Sequence, residues 1–105
     1  MNTERLQKLL ALKEEDATDI FLVYAIGIEY IGLNQSADAE KYLRECLAMD
    51  EGYIAAYYQL GLVLQLAGKD DEALAYLEKG LGLLKGSSDL KNINEFRSLI
   101  QEIKY

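Results

Sequence analysis

A 34-residue interval constrains this chain more than any other feature. Val23-x-x-Ile26-Gly27-x-x-Tyr30, followed by Ala39-x-x-x-Leu43, returns as Tyr57-x-x-Leu60-Gly61-x-x-Leu64, followed by Ala73-x-x-x-Leu77. Tyr24 and Tyr58, Tyr42 and Tyr76, and Leu47 and Leu81 hold the same register, and eight residues are identical between the two copies. A fixed period of this length means one supersecondary unit built twice and stacked, because a single unit cannot bury its apolar face alone.

The pattern resembles the tetratricopeptide repeat, a helix-turn-helix unit of 34 residues with W-x2-L-G-x2-Y, then A-x3-F, then P. The resemblance implies that Gly27, Ala39, Gly61 and Ala73 are structural signature positions, kept small so that the two helices of a unit can touch. Val23 and Tyr57 stand in the aromatic place, Glu51 and Lys85 stand where the family usually has proline, and the chain has no proline at all. Helix ends are then less sharply fixed. The implied fold is all-α: a right-handed stack of antiparallel helix pairs, about six helices in a single domain over 1–105. An N-terminal helix falls in 3–17, repeats in 20–53 and 54–87, and a capping helix in 88–104.

Periodicity outside the repeats supports those two end helices. Leu6, Leu9, Leu10 and Lys13 fall at helical spacing, and Leu9 lies 34 residues before Leu43, so the first segment is in phase with the second helix of a repeat. Leu90, Ile93, Phe96 or Arg97, Ile100 and Ile103 form an apolar stripe, with Lys91, Asn92, Glu95, Glu102 and Lys104 facing away. Arg97 stands close to where a third repeat would place its glycine, so the array is expected to stop there. Helices are predicted near 3–14, 18–32, 36–49, 53–67, 70–84 and 88–104. Thr3 is the expected cap of the first and Ser87 or Ser88 of the last, with Asn34 and Gly68 as left-handed turn residues.

With 11 basic against 18 acidic residues the net charge is −7, which disfavours nucleic acid as a partner. The acidic runs Glu14-Glu15-Asp16 and Asp70-Asp71-Glu72 read as solvated residues placed near helix N-termini. The single cysteine, Cys46, permits no internal disulfide and reads as a small packing residue. The N-terminal segment mixes Arg5, Gln7 and Lys8 among its leucines, unlike a signal peptide, so the expected location is cytoplasmic. The uncharged runs 20–24 and 54–67 fall short of the ~20 apolar residues a membrane span needs.

Histidine is absent and no glycine-rich phosphate loop occurs, since Gly80-Leu81-Gly82 lacks a third glycine and a preceding strand. Neither catalytic residues, nor metal ligands, nor a cofactor are expected. Attention falls instead on Phe21, Tyr24, Ile28 and Ile31, with Tyr58, Leu62 and Gln65 as their counterparts in the second repeat. In tetratricopeptide repeat proteins this face lines a concave groove, and the resemblance implies a peptide-binding site there. Places where some family members hold a carboxylate with Lys, Asn and Arg carry Tyr24, Ile28 and Gln59, so aromatic and aliphatic contacts would do the binding. Apart from Glu29 the segments 20–33 and 54–67 are uncharged, which predicts helices buried all round. Three covers fit: the chain's own end helices, a second copy as in a homodimer, or a protein or peptide partner. The expected function is non-catalytic protein recognition by an adaptor or chaperone-like module holding an apolar or amphipathic segment. A homo-oligomer joined through the groove face or a terminal helix is the alternative.

Overall fold

The computed structural model describes residues 3–105, among which six helices follow one another: α1 (Glu4–Glu15), α2 (Ile20–Gly32), α3 (Ser36–Met49), α4 (Ile54–Leu66), α5 (Asp70–Leu83) and α6 (Leu90–Lys104). Side chains cap only α2 and α6, and in both the cap is a carboxylate rather than a hydroxyl; α1, α3, α4 and α5 have no side-chain cap. Asp19 accepts from the Phe21 N–H at 3.0 Å, and Asp89 accepts from the Asn92 N–H at 3.1 Å. Ser87 does not cap α6; its Oγ accepts from the Asp89 N–H at 3.0 Å, and Ser88 makes no capping bond. Thr3 is at the N-cap of α1, but ψ of 4° replaces the extended backbone a capping side chain requires, and only its carbonyl is used, by the Gln7 N–H.

The two acidic runs part company. Asp70, Asp71 and Glu72 fill the first turn of α5, where the helix dipole favours negative charge. Glu14-Glu15-Asp16 instead closes the C-terminal end of α1, where that dipole is unfavourable. Asp16 has a local use there, accepting the N–H and the hydroxyl of Thr18 at 3.1 and 2.7 Å.

Asn34 and Gly68 are the left-handed residues that let each repeat turn back, with φ of 59° and 77°. Gln35 N–H reaches the Tyr30 carbonyl and Asn34 N–H the Ile31 carbonyl; Lys69 with Leu64 and Gly68 with Gln65 repeat the arrangement. This two-bond closure satisfies carbonyls that a helix end leaves open, so proline is not needed to stop the helix.

Successive helices pack antiparallel, and the glycines set how closely. A Cβ on Gly27 would lie 3.2 Å from Leu43, and one on Gly61 only 2.5 Å from Leu77. Ala39 and Ala73 are fully buried beside them. α2 touches α4 and α4 touches α6 directly, whereas α1, α3 and α5 meet one another only through side chains. The stack therefore curves, with the even-numbered helices on its inner side. Tyr57, in the aromatic place of the second repeat, is buried and donates its hydroxyl to the Glu51 carbonyl at 2.6 Å.

α6 closes the far end with Phe96, Leu99 and Ile100. Phe96 takes the core position and Arg97 is exposed; Leu99 joins the core although the apolar stripe omitted it, Asn92 is half-buried, and Leu90 lies outside, 67% exposed. Gly80 sets which face turns inward, because its missing side chain admits the Phe96 ring.

Candidate functional site

The inner face is built from helices with almost no charge. α4 carries none, and Glu29, the one charged residue of α2, is tied to Arg5 of α1 at 3.1 Å. Phe21, Tyr24, Ile28 and Ile31 share one face of α2 by helical spacing, as Tyr58, Leu62 and Gln65 do on α4. These helices are not buried all round. Phe21 is 65% exposed, Leu66 of α4 is 68% exposed, and Tyr24, Ile28, Ile31, Tyr58, Leu62 and Gln65 are half-buried. α1 packs beside α2, whereas α6 packs against α4 and α5 and its Phe96 covers part of the face at Tyr58, leaving the rest half-buried.

The tyrosines are held by neighbours yet keep an open side. Tyr24 leans on Tyr53 with ring centres 5.4 Å apart, and Tyr58 meets the Phe96 ring edge-on, also at 5.4 Å. Burial raises the Tyr24 hydroxyl above the ordinary tyrosine range, and a hydrogen bond with Gln59 opposes the rise. Burial raises Tyr58 as well, with Glu95 and Glu102 adding to it; for Tyr53 burial is followed by Cys46, Asp19 and Asp50. All three remain neutral phenols near pH 7, each an apolar body with one polar tip. Tyr53, Glu95 and Glu102 are neighbours of this face that its helical spacing does not reveal. Tyr53 precedes its helix, and the acids of α6 come near only because Phe96 docks against Tyr58.

Cys46 is fully buried on α3, and burial pushes its thiol up to about 12, so it packs as a neutral hydrophobe. Among the described residues no cluster of three or more His, Cys, Asp or Glu could hold a metal ion, and no helix is long and apolar enough to cross a membrane. Two clefts lie away from the inner face. One of about 400 Å³ sits between the end of α5 and α6, and the other, also about 400 Å³, between α1 and Tyr42 of α3.

Comparison with known proteins agrees with this architecture. The family model described as Tetratricopeptide repeat matches residues 22–53 and 54–83, together more than half of the chain. A protein from Bordetella parapertussis, solved in solution, superposes with a TM-score of 0.83 at 24% identity, covering 99% of this chain and 90% of its own. The crystal structure of a tetratricopeptide repeat domain protein from Salinibacter ruber gives a TM-score of 0.75 at 21% identity over 82% of this chain and 96% of that one. MamA gives 0.74 at 25% identity over 93% of this chain and 56% of MamA. None of the curated proteins compared in sequence matches this chain. Two matched repeats, the shared 34-residue register and the stacked helical pairs make this chain a member of the tetratricopeptide repeat family.

Proposed function

We propose that the chain is a non-catalytic protein-recognition module whose inner face, Phe21, Tyr24, Ile28 and Ile31 on α2 with Tyr58, Leu62 and Gln65 on α4, holds an apolar or amphipathic segment of another protein. One observation carries this reading: a nearly uncharged face on the curved side of the stack is left partly open, with Phe21 65% exposed at its edge. Contiguous apolar surface of this kind marks interaction sites in water-exposed proteins. Half-exposed tyrosines suit such a face, since they bury area at little entropic cost and keep a hydroxyl for the segment's backbone.

The test uses Phe21→Glu combined with Ile28→Glu, which charges the face without entering the core. Circular dichroism should show an intact fold. Affinity capture from the native cell should then retain a protein on the parent chain and lose it on the variant. A captured protein held equally by both would place recognition elsewhere. A parent that sediments as a dimer and a variant that sediments as a monomer would make the partner a second copy.

A further inference from the structure

The bases of this chain avoid its inner helices. Residues 14–40 hold seven acids and no Lys or Arg, and residues 45–68 hold three acids and again no base. These stretches contain α2 and α4 with the turns that lead into them, so every base lies on another helix or in the turns at Lys69 and Lys85. The ion pairs follow suit. They join α1 to α2 and α3, α3 to α5 and Lys69, and α5 to α6, and among the described residues none joins α2, α4 and α6 to one another.

The charge that does border the inner face is mostly negative. Asp19 lies beside Phe21, whose N–H it accepts at 3.0 Å, and Asp50 opens the turn that closes at Tyr53. Both stand close enough to add to the rise that burial and Cys46 give the Tyr53 hydroxyl, and Glu95 and Glu102 add to the rise that burial gives Tyr58. No ion pair neutralises any of the four among the described residues. Of the bases on α6, Arg97 lines the cleft with α5 and Lys104 pairs with Glu78 of α5. Lys91, one turn before Glu95, is left against four acids.

The tyrosines divide the same way. Tyr42 has Lys13 and Lys41 over its ring, Tyr76 has Arg44 and Tyr57 has Lys79, all between 5.4 and 5.9 Å from the ring centre. Tyr24, Tyr53 and Tyr58 have aromatic neighbours instead, and no cation among the described residues stands over them. A ring face attracts a cation, and more strongly once water is excluded.

We propose that the segment held on the inner face is cationic: an apolar run flanked by Lys or Arg, whose charges lie against Asp19 with Asp50 and against Glu95 with Glu102, and over the Tyr53 and Tyr58 rings. The inference rests on the inner face being the recognition site and adds the charge of what is recognised. A second copy offering the same face would set like charge against like, in a chain whose net charge is −7. An acidic segment meets the same repulsion.

A labelled peptide with an apolar run of Leu and Phe between paired lysines, titrated with the full chain and followed by anisotropy, tests this beside the same peptide with glutamates for the lysines. Saturable binding is expected, about tenfold or more tighter for the lysine peptide. Asp19→Asn, Asp50→Asn, Glu95→Gln and Glu102→Gln together should weaken it about tenfold while keeping the acceptor that caps α2. Glu14→Gln, Glu15→Gln, Asp70→Asn and Asp71→Asn, the same loss of charge on α1 and α5, should weaken it less than about threefold. Phe21→Ser with Ile28→Ser should abolish it. Equal affinity for the two peptides, each lost on Phe21→Ser with Ile28→Ser, overturns the cationic segment and leaves the inner face as the site. Binding that ignores Phe21→Ser with Ile28→Ser, or falls equally with either neutralised set, is attraction to net charge alone and overturns it as well. No saturation up to ~1 mM does the same, while capture from the native cell still decides the inner face. Should Phe21→Ser with Ile28→Ser unfold, the two neutralised sets decide.

Discussion

Four of the helical glycines give a graded test of how this stack is packed, because a Cβ at each would enter different surroundings, from open space to a crowded core. In a helix, glycine to alanine gains about 0.5–1 kcal/mol where nothing obstructs the new methyl. At Gly82 nothing lies within 4 Å, so Gly82→Ala should stabilise by that amount, raising Tm by roughly 2–8 °C. At Gly27 the methyl would sit 3.2 Å from Leu43, tight enough to offset the gain and leave stability near the parent's. At Gly61 it would fall 2.5 Å from Leu77 Cγ and Cδ2, and Leu77 is fully buried with no free rotamer to retreat into. Gly80 is worse, since the methyl would lie 2.6 Å from Phe96 and 2.8 Å from Tyr57 Cβ, an atom fixed one bond from the α4 backbone. Overpacking costs about 1–3 kcal/mol, so Gly61→Ala and Gly80→Ala should lose about 1–2 kcal/mol net, Gly80→Ala the more. Urea unfolding followed by circular dichroism, with unchanged m-values, measures all four. The packing argument fails if Gly80→Ala is as stable as Gly82→Ala, or Gly61→Ala as stable as Gly27→Ala.

Phe96→Ala should cost about 3–5 kcal/mol, a large share of the stability of a domain this size, and a loss below about 1 kcal/mol in a urea titration would remove α6 from the core. Deleting residues 88–105 should uncover Leu77, Leu84 and Tyr57 and give a chain that aggregates; a soluble truncation melting at the parent temperature would show that α6 is no cap. Cys46 should resist a thiol reagent until urea unfolds the chain. Because burial raises its thiol from 9.0 to about 12, the folded state keeps a proton the unfolded state loses, so this contribution to stability is intact below pH 9 and falls away as pH rises toward 12. A Cys46→Ala chain with an identical alkaline stability profile would contradict that. Arg44→Met should destabilise by about 1 kcal/mol, less at high salt, and a double-mutant cycle with Tyr76→Phe should show coupling between the two.

The period made the repeats legible because Gly27, Gly61, Ala39 and Ala73 record close backbone approach, a demand few residue types can meet. Asn34 and Gly68 were legible for the same reason, being residues that tolerate a left-handed backbone. What stayed hidden depended on geometry beyond one helix. The capping of α6 by Asp89 instead of Ser87 or Ser88 turns on one residue of chain length, and the inward face of α6 on the approach of Phe96 to Gly80, two residues on different helices. The inner face was visible as a list of apolar positions, but its partial openness was not. Uncharged helices read as buried all round, and Phe21, 65% exposed, is where that inference breaks.

The stack is tied unequally on its two sides. Its inner helices approach one another directly, while its outer helices are bridged by long side chains such as Lys13 to Glu45, Arg44 to Glu72 and Lys69 to Glu40. Short contacts resist stretching and long charged bridges yield to it, so bending of the array is hinged on the inside and sprung on the outside. Small rotations of these bridges change the radius of the inner face while every helix stays whole. Ionic strength then becomes a mechanical variable, loosening the outer springs and leaving the hinge untouched.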